Sequence, residues 1–150
     1  MRFSEIIEET IINELLDSNI PYKWIKNSPT EVKAKFKIGP SMFNKHIYMF
    51  EGVQYQNNTW KVSFYMVENG KKNYDITGTG YATYVIATIR NIMVDFMSSM
   101  EIDKLIFSSE GKSRTSLYTR MVKSLLPDWN IKIDPAGNTT FFYATKPSSD

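Results

Sequence analysis

The chain of 150 residues contains no cysteine and a single histidine, His46. Without cysteine, the chain has no disulfide framework, no thiolate metal site and no cysteine nucleophile, and one histidine cannot form a histidine-based metal cluster. We therefore predict that the protein binds no metal. A chain without disulfides also suits a reducing compartment, so we expect a cytoplasmic protein.

Long apolar runs and a strong charge of one sign are missing as well. No run approaches the length that spans a membrane, and the opening "MRFSEIIEET" places acids inside its apolar pattern, unlike a signal peptide. The formal net charge is only +2, from lysines scattered along the chain. We therefore expect a soluble protein with neither a membrane nor a nucleic acid as its partner. The length suits one hydrophobic core, so residues 1–150 are predicted to form a single domain.

The first half of the chain reads as a helix followed by an antiparallel meander. Apolar residues at three- and four-residue spacing between Ser4 and Asn19 predict an N-capped amphipathic helix. In "EVKAKFKI" apolar residues alternate with charged ones, which predicts a half-buried strand with a row of lysines facing solvent. The segments "HIYMFEGVQYQ" and "WKVSFYMVE" flank two asparagines and predict a hairpin, and "NYDIT" predicts a short further strand.

The pattern changes after the stretch "DITGTGYATYVIATIRNIM", which opens with two glycines in a turn. Apolar residues from Ala82 to Met100 recur at helical spacing and predict a long helix packed on the core. "DKLIF" predicts a strand buried on both faces, and "SRTSLYTRMVKSLL" a further helix. The last two patterned segments, "WNIKID" and "TTFFYAT", predict a closing hairpin.

These elements predict an α+β fold with one mixed sheet. It should contain an antiparallel meander, about three helices, and one parallel pair around the glycine turn, formed by strands near 72–77 and 103–108. A right-handed crossover through the long helix would join the two parallel strands.

This element order resembles the GNAT family of N-acetyltransferases over roughly the whole chain. In that family a glycine-rich turn before the long helix holds the coenzyme A pyrophosphate through its amides, and a tyrosine lies on the following helix. The resemblance implies a single GNAT-like domain in which Tyr118 is the matching tyrosine, the catalytic acid that protonates the thiolate. It assigns the cofactor turn to Gly78, Thr79, Gly80, Tyr81 and Ala82. A shorter stretch, "SSEGKSRTSLYTRM", resembles uncharacterised GNAT-like proteins of tailed bacteriophages.

Several residues have two interpretations. Tyr118 is either the acid of a transfer reaction or a packing aromatic, and Arg114 either meets a phosphate or forms a surface salt bridge. Glu51, Glu68 or a water molecule could be the base, and the spacing selects none of them. His46 has no partner motif, so we expect it to be packed or solvent-facing rather than catalytic.

The sequence also departs from the family pattern. Asp75 or Thr77, depending on the alignment, stands where the family has Arg or Gln, and "MVKSLLPDW" replaces a Gly-Phe pair. An acid beside a pyrophosphate is repulsive. We therefore favour a binding or structural accessory module with a degenerate acetyl-CoA motif, no cofactor and a protein partner. It would act in the virion or on a host factor, in the host cytoplasm if the gene belongs to a phage. The alternative is an acetyl-CoA-dependent N-acetyltransferase acting on a protein or small-molecule amine.

Overall fold

The computed structural model describes residues 20–75, 80–110 and 112–147. In these ranges one large mixed sheet packs against two helices, so the predicted α+β class is confirmed, with two helices rather than about three. The helix predicted between Ser4 and Asn19 lies outside the described residues. The elements are β1 (Tyr22–Asn27), β2 (Glu31–Ile38), β3 (His46–Gln56), β4 (Thr59–Glu68), β5 (Lys71–Asn73), α1 (Ala82–Ser99), β6 (Lys104–Glu110), α2 (Lys112–Leu125), β7 (Asn130–Ala136) and β8 (Thr139–Thr145).

The sheet has the strand order β1-β2-β3-β4-β6-β8-β7, and β5 pairs with β4 beside this path. The predicted hairpins of β3 with β4 and of β7 with β8 are confirmed. Their turns use residues at positive φ, Asn58 at 57° and Gly137 at 67°, a conformation that asparagine and glycine tolerate best. An antiparallel meander followed by one parallel contact is consistent with the GNAT-like fold that the resemblance implied.

The parallel pair was assigned to the wrong strand. The partner of β6 is β4, through residues 59–61 and 104–106, and not a strand at 72–77. The cause is the tight turn at Asn69 and Gly70, whose φ values are 51° and 74°. A two-residue turn of this kind sends the chain straight back along the strand it has just left, so β5 pairs antiparallel with β4.

Strand β6 is also less buried than predicted. Its residues alternate, with Leu105, Phe107 and Ser109 buried while Lys104 and Ser108 are exposed. Both helices contribute to one core cluster together with the strands, so a single face of β6 is covered. The strand is therefore half-buried and not enclosed on both faces.

The core lies between α1, α2 and this inner face of the sheet. The predicted stripe of α1 is buried, and its Phe96 ring meets Trp60 edge to face with the centroids 5.1 Å apart. Gly52 of β3 makes this contact possible. A Cβ at that position would lie 3.0 Å from the side chain of Val32 and 3.5 Å from Trp60, which leaves no room for a larger residue without a shift.

Strand β1 was not predicted from the sequence. Its inward side chains Tyr22 and Trp24 each donate a 3.0 Å hydrogen bond to one carboxylate oxygen of Asp95 on α1. A bulge at Ile25, between Trp24 and Lys26, interrupts the pairing with β2. The Asp95 carboxylate thus attaches the edge of the sheet to the long helix.

Candidate functional site

The sheet opens where β4 and β6 separate. The edge of β4 that faces away from β3 pairs with β6 through residues 59–61 and with β5 through residues 66–68. No strand in the described ranges pairs with the segment of this edge that lies between these two contacts. The resulting gap has a volume of about 30 Å³, and its walls come from Ser63, Phe64, Tyr74, Ser108, Ser109 and Tyr118. Because a water molecule needs about 10 to 15 Å³ measured in this way, the gap has room for only one or two waters.

Aromatic rings close the gap from the side of the core. The Phe64 ring lies 6.3 Å from that of Phe107 and 6.0 Å from that of Tyr118, and Phe107 stacks on Phe142 at 4.9 Å. Tyr118 lines the gap, and 2% of its surface is exposed. Its role as a catalytic acid stays a prediction.

Hydroxyl groups beside the gap bond to one another. Ser109 and Thr115 share a hydrogen bond of 2.9 Å between their oxygens, and Thr115 donates a longer one of 3.4 Å to Thr140. Ser109 is nearly fully buried, so this bond satisfies a polar group that would otherwise be costly. These hydroxyls join β6, α2 and β8 and serve the packing of the three elements.

The glycine turn is described only in part, because Gly78 and Thr79 lie outside the described residues. Gly80 has a φ of +86°, and a Cβ placed there would meet nothing within 4 Å. Its backbone conformation, rather than crowding, therefore calls for glycine. Tyr81 is the N-cap residue of α1 and makes no side-chain capping bond, and the first turn that begins at Ala82 contains no acid. The cofactor role of this turn stays a prediction.

Glu51 lies in an ion-pair cluster on the outer face of the sheet. Lys33 and Lys72 each approach its carboxylate to 3.4 Å. Burial, together with the charge and hydrogen bonding of Glu51, raises the pKa of the neighbouring Tyr65 to about 12. Glu51 is not among the side chains that line the gap with Tyr118, so the structure does not join this candidate base to the candidate acid.

Two further candidates, Glu68 and His46, are not among the side chains that line the gap with Tyr118. Glu68 accepts a hydrogen bond from Asn73 in the β4–β5 hairpin. His46 is packed rather than paired with a base, with its ring 6.4 Å from that of Tyr81. Arg114 lies in the first turn of α2, and its contact with a phosphate stays a prediction.

Two findings concern the described ranges as a whole. Within them, no group of three or more histidine, aspartate or glutamate side chains could hold a metal ion. Neither of the two helices found there is long and apolar enough to cross a membrane.

A second concave site lies near the edge of the sheet formed by β1 and β2, and it was not predicted. It has a volume of about 420 Å³, and its walls come from Pro21, Tyr22, Lys23, Lys35, Phe36, Lys37 and Lys45. Sequence reasoning recognised a row of lysines on β2 and interpreted it as solvated surface. Because β1 was missed, the pairing that places Lys23 directly opposite Lys35 was missed too.

Comparison with known proteins gives weak similarities only. No protein-family model matches the sequence, and no curated protein matches it. A domain from Methanocaldococcus jannaschii DSM 2661 has a TM-score of 0.46 at 8% identity, with 97% of this chain and 95% of that one covered. A variant of spermidine N-acetyltransferase from Vibrio cholerae has a TM-score of 0.40 at 9% identity, with 96% of this chain and 75% of that one covered. Both TM-scores lie below 0.5, so our conclusions rest on the strand order and on the two concave sites.

Proposed function

We propose that this chain is a protein-binding accessory module on a GNAT-like scaffold, and that it transfers no acetyl group. One observation carries the proposal. The gap between β4 and β6 measures about 30 Å³, whereas pockets that bind small molecules and cofactors measure about 300 to 1,000 Å³. The gap, as its described residues bound it, therefore has no room for a coenzyme A thioester.

The described lining of the gap also lacks a side chain that could serve as the base for acetyl transfer. An acid must reach the leaving group and a base must be within hydrogen-bond reach of the attacking amine. Tyr118 is buried against Phe64, and the described side chains that line the gap include no carboxylate and no histidine. Among them no carboxylate or imidazole is placed to act as the base.

An accessory role agrees with the surface of the protein. Two large apolar side chains, Met42 and Phe43, project from the loop between β2 and β3 with 81% and 97% of their surfaces exposed. Exposed apolar groups of this size are typical of interaction sites. We extend the proposal to the setting that the phage resemblance implied, namely a virion component or a factor directed at a host protein.

An N-acetyltransferase is the second candidate, and one observation favours it. Among the described residues, the start of α1 has no side-chain cap and no acid in its first turn, a setting that favours an anion at its amides. Tyr118 lines the gap as the family pattern requires, and an acetyltransferase would need the Phe64 ring to move out of the gap.

Calorimetry with acetyl-CoA separates the two candidates. We expect no saturable heat with the unmodified chain. Micromolar binding, together with acetylation of a peptide or polyamine amine that is lost in Tyr118→Phe, would overturn the proposal. Gly80→Val is measured in the same calorimetry experiment, and its thermal unfolding is measured as well. The second measurement is needed because a β-branched residue at this positive φ can lower the stability of the fold by about 1 to 3 kcal/mol through strain alone.

A further inference from the structure

The hairpin of β1 and β2 contains two pairs of lysines placed directly opposite each other. Lys26 faces Lys33, and Lys23 faces Lys35. The first pair is compensated, because Glu31 lies 2.7 Å from the Lys26 ammonium and 3.8 Å from that of Lys33. Like charges directly opposite each other in a sheet are destabilising, and the Glu31 carboxylate offsets this repulsion for the first pair.

The second pair, Lys23 and Lys35, lacks this compensation among the described residues. In the described part of the chain no carboxylate forms an ion pair with Lys23 or Lys35. Two further lysines, Lys37 and Lys45, line the same depression and also lack an acidic partner there. Four lysine side chains therefore line one concave site, which we call the lysine basin, and the described residues supply none of them with an acidic partner. An external anion would relieve their repulsion.

The shape of the lysine basin limits what this anion can be. A depression of about 420 Å³ whose walls include Tyr22 and Phe36 admits a segment of polypeptide, whereas a flat bilayer cannot enter it. The basic stripe also stops early, because the next lysine along β2, Lys33, already contacts Glu31 and Glu51. Nucleic acid binding relies on a longer run of uncompensated charges than this.

The loop beside the basin supplies an apolar contact. Its exposed tip, Met42 and Phe43, is held by a turn in which the Asn44 amide donates to the carbonyl of Ser41 at 3.3 Å and to its hydroxyl at 3.1 Å. Gly39 closes the loop, since its backbone lies so near that of Asn44 that a Cβ would not fit. These backbone contacts hold the base of the loop, and a preordered backbone loses less entropy on binding.

We propose that the lysine basin and this loop tip together bind a short acidic segment of a protein partner that also carries an apolar anchor. The proposal deepens the protein-binding role proposed above and rests on it. The carboxylates of the segment would lie among Lys23, Lys35, Lys37 and Lys45, and its apolar anchor would pack on Phe43. Aromatic side chains of this kind often carry much of the energy of an interface.

Fluorescence polarisation with a labelled peptide of alternating Glu and Leu tests the proposal. We expect saturable binding to the unmodified chain that weakens as salt is added, because the contact is between exposed charges. The double variant Lys23→Glu/Lys35→Glu should weaken it by at least about tenfold, and Phe43→Ser by a smaller factor. Lys132→Glu is the matched control, since this exposed lysine lies on β7 at the other edge of the sheet.

Several outcomes would overturn the inference. These are no binding of the peptide to the unmodified chain, equal weakening by Lys132→Glu, and tighter binding of a DNA oligonucleotide or of phosphatidylserine vesicles. So would a dimer of this chain that Lys23→Glu/Lys35→Glu dissociates. If that variant does not fold, Lys23→Gln/Lys35→Gln replaces it. Acetyl-CoA calorimetry distinguishes this inference from the proposed function. If neither the peptide nor acetyl-CoA binds, this inference alone is wrong. If the chain binds the peptide and also turns over acetyl-CoA, only the proposal that it transfers no acetyl group is wrong.

Discussion

The two faces of strand β2 carry different kinds of side chain, apolar on one face and charged on the other. Alternate residues point to opposite sides of the sheet, so one strand delivers an apolar row to the core and a charged row to the outside. The inner row packs toward α1, where removal from water stabilises the fold, while the outer row carries charge that the fold only partly neutralises. The inner row is Val32, Ala34 and Phe36, and the outer row is Lys33, Lys35 and Lys37. The inner row of these eight residues therefore stabilises the fold, and the outer row carries the charge on which the proposed binding depends.

The largest effect is expected on the inner face. Phe96→Ala removes a ring that is fully buried and lies 5.1 Å from Trp60 and 5.6 Å from Phe50, centroid to centroid. We expect a loss of about 3 to 5 kcal/mol in the free energy of unfolding, measured in urea. Val94→Ala is the control on the same helix, because Val94 is largely exposed and should change stability by no more than about 0.5 kcal/mol. Equal effects of the two changes would mean that the buried face of α1 was misassigned.

A smaller effect of unusual sign is expected at Gly52. Replacing glycine with alanine ordinarily stabilises a chain by about 0.4 to 1 kcal/mol, because the unfolded state loses freedom. Here the new methyl group would lie 3.0 Å from the Val32 side chain, so we expect a loss of about 1 to 3 kcal/mol instead. Denaturation of Gly52→Ala, Val32→Ala and the double variant forms a cycle. A double variant no more stable than the sum of the single changes would contradict the steric explanation.

Alkaline pH tests the contact between β1 and α1, in which the Tyr22 hydroxyl donates a hydrogen bond to the Asp95 carboxylate. Burial first, and then the hydrogen bond to this carboxylate and its charge, raise the pKa of Tyr22 from 10.0 to about 12. A raised pKa in the folded state stabilises the protein below the unfolded value of 10.0, and this contribution is lost as the pH rises through about 12. Melting temperatures measured from about pH 9 to about pH 11.5 should therefore fall.

The variant Tyr22→Phe should reduce this fall without abolishing it, because the pKa of Tyr65 is also raised to about 12. Tyr55→Phe is the control, since Tyr55 is exposed and its removal should leave the pH profile unchanged. A profile of Tyr22→Phe that coincides with that of the unmodified chain would rule out this role for Tyr22.

The smallest effects are expected among the outer lysines, and their signs should differ. Lys35→Ala removes a like-charge contact with Lys23 and should leave stability unchanged or slightly higher, whereas Lys33→Ala removes the partner of two carboxylates and should lower it. Both changes should stay within about 0.5 kcal/mol and converge as salt screens the charges. Denaturation at low and high salt measures the difference, and a lower stability of Lys35→Ala at low salt would contradict the repulsion.

The sequence was sufficient for the elements whose pattern is local. The stripe of α1, the alternation of β2 and the asparagine turn of the β3–β4 hairpin depend on neighbours in the chain, and all three were predicted correctly. Strand β1 was missed because its alternation is short and the bulge at Ile25 breaks it. The partner of β6 was missed because pairing across the long helix leaves no local trace.

The two concave sites illustrate the same limit. A motif suggested Tyr118, and the structure does bring it to the gap between β4 and β6. That the Phe64 ring lines this gap beside Tyr118 depends on packing between elements far apart in the chain, which no spacing reveals. The lysine basin likewise needs Lys23 to lie beside Lys35, and this follows only once β1 is known.

The short strand β5 has a consequence for the chain as it leaves the ribosome. Because synthesis proceeds from the N-terminus, the strands through β4 are synthesised before β6. The edge of β4 that faces away from β3 therefore has no parallel partner until β6 follows. An unpaired strand edge invites pairing with other chains. β5 follows β4 after only a two-residue turn and covers residues 66–68 of that edge at once. Pairing with β5 therefore shortens the unpaired edge of β4 during the interval before β6 is synthesised and pairs with residues 59–61.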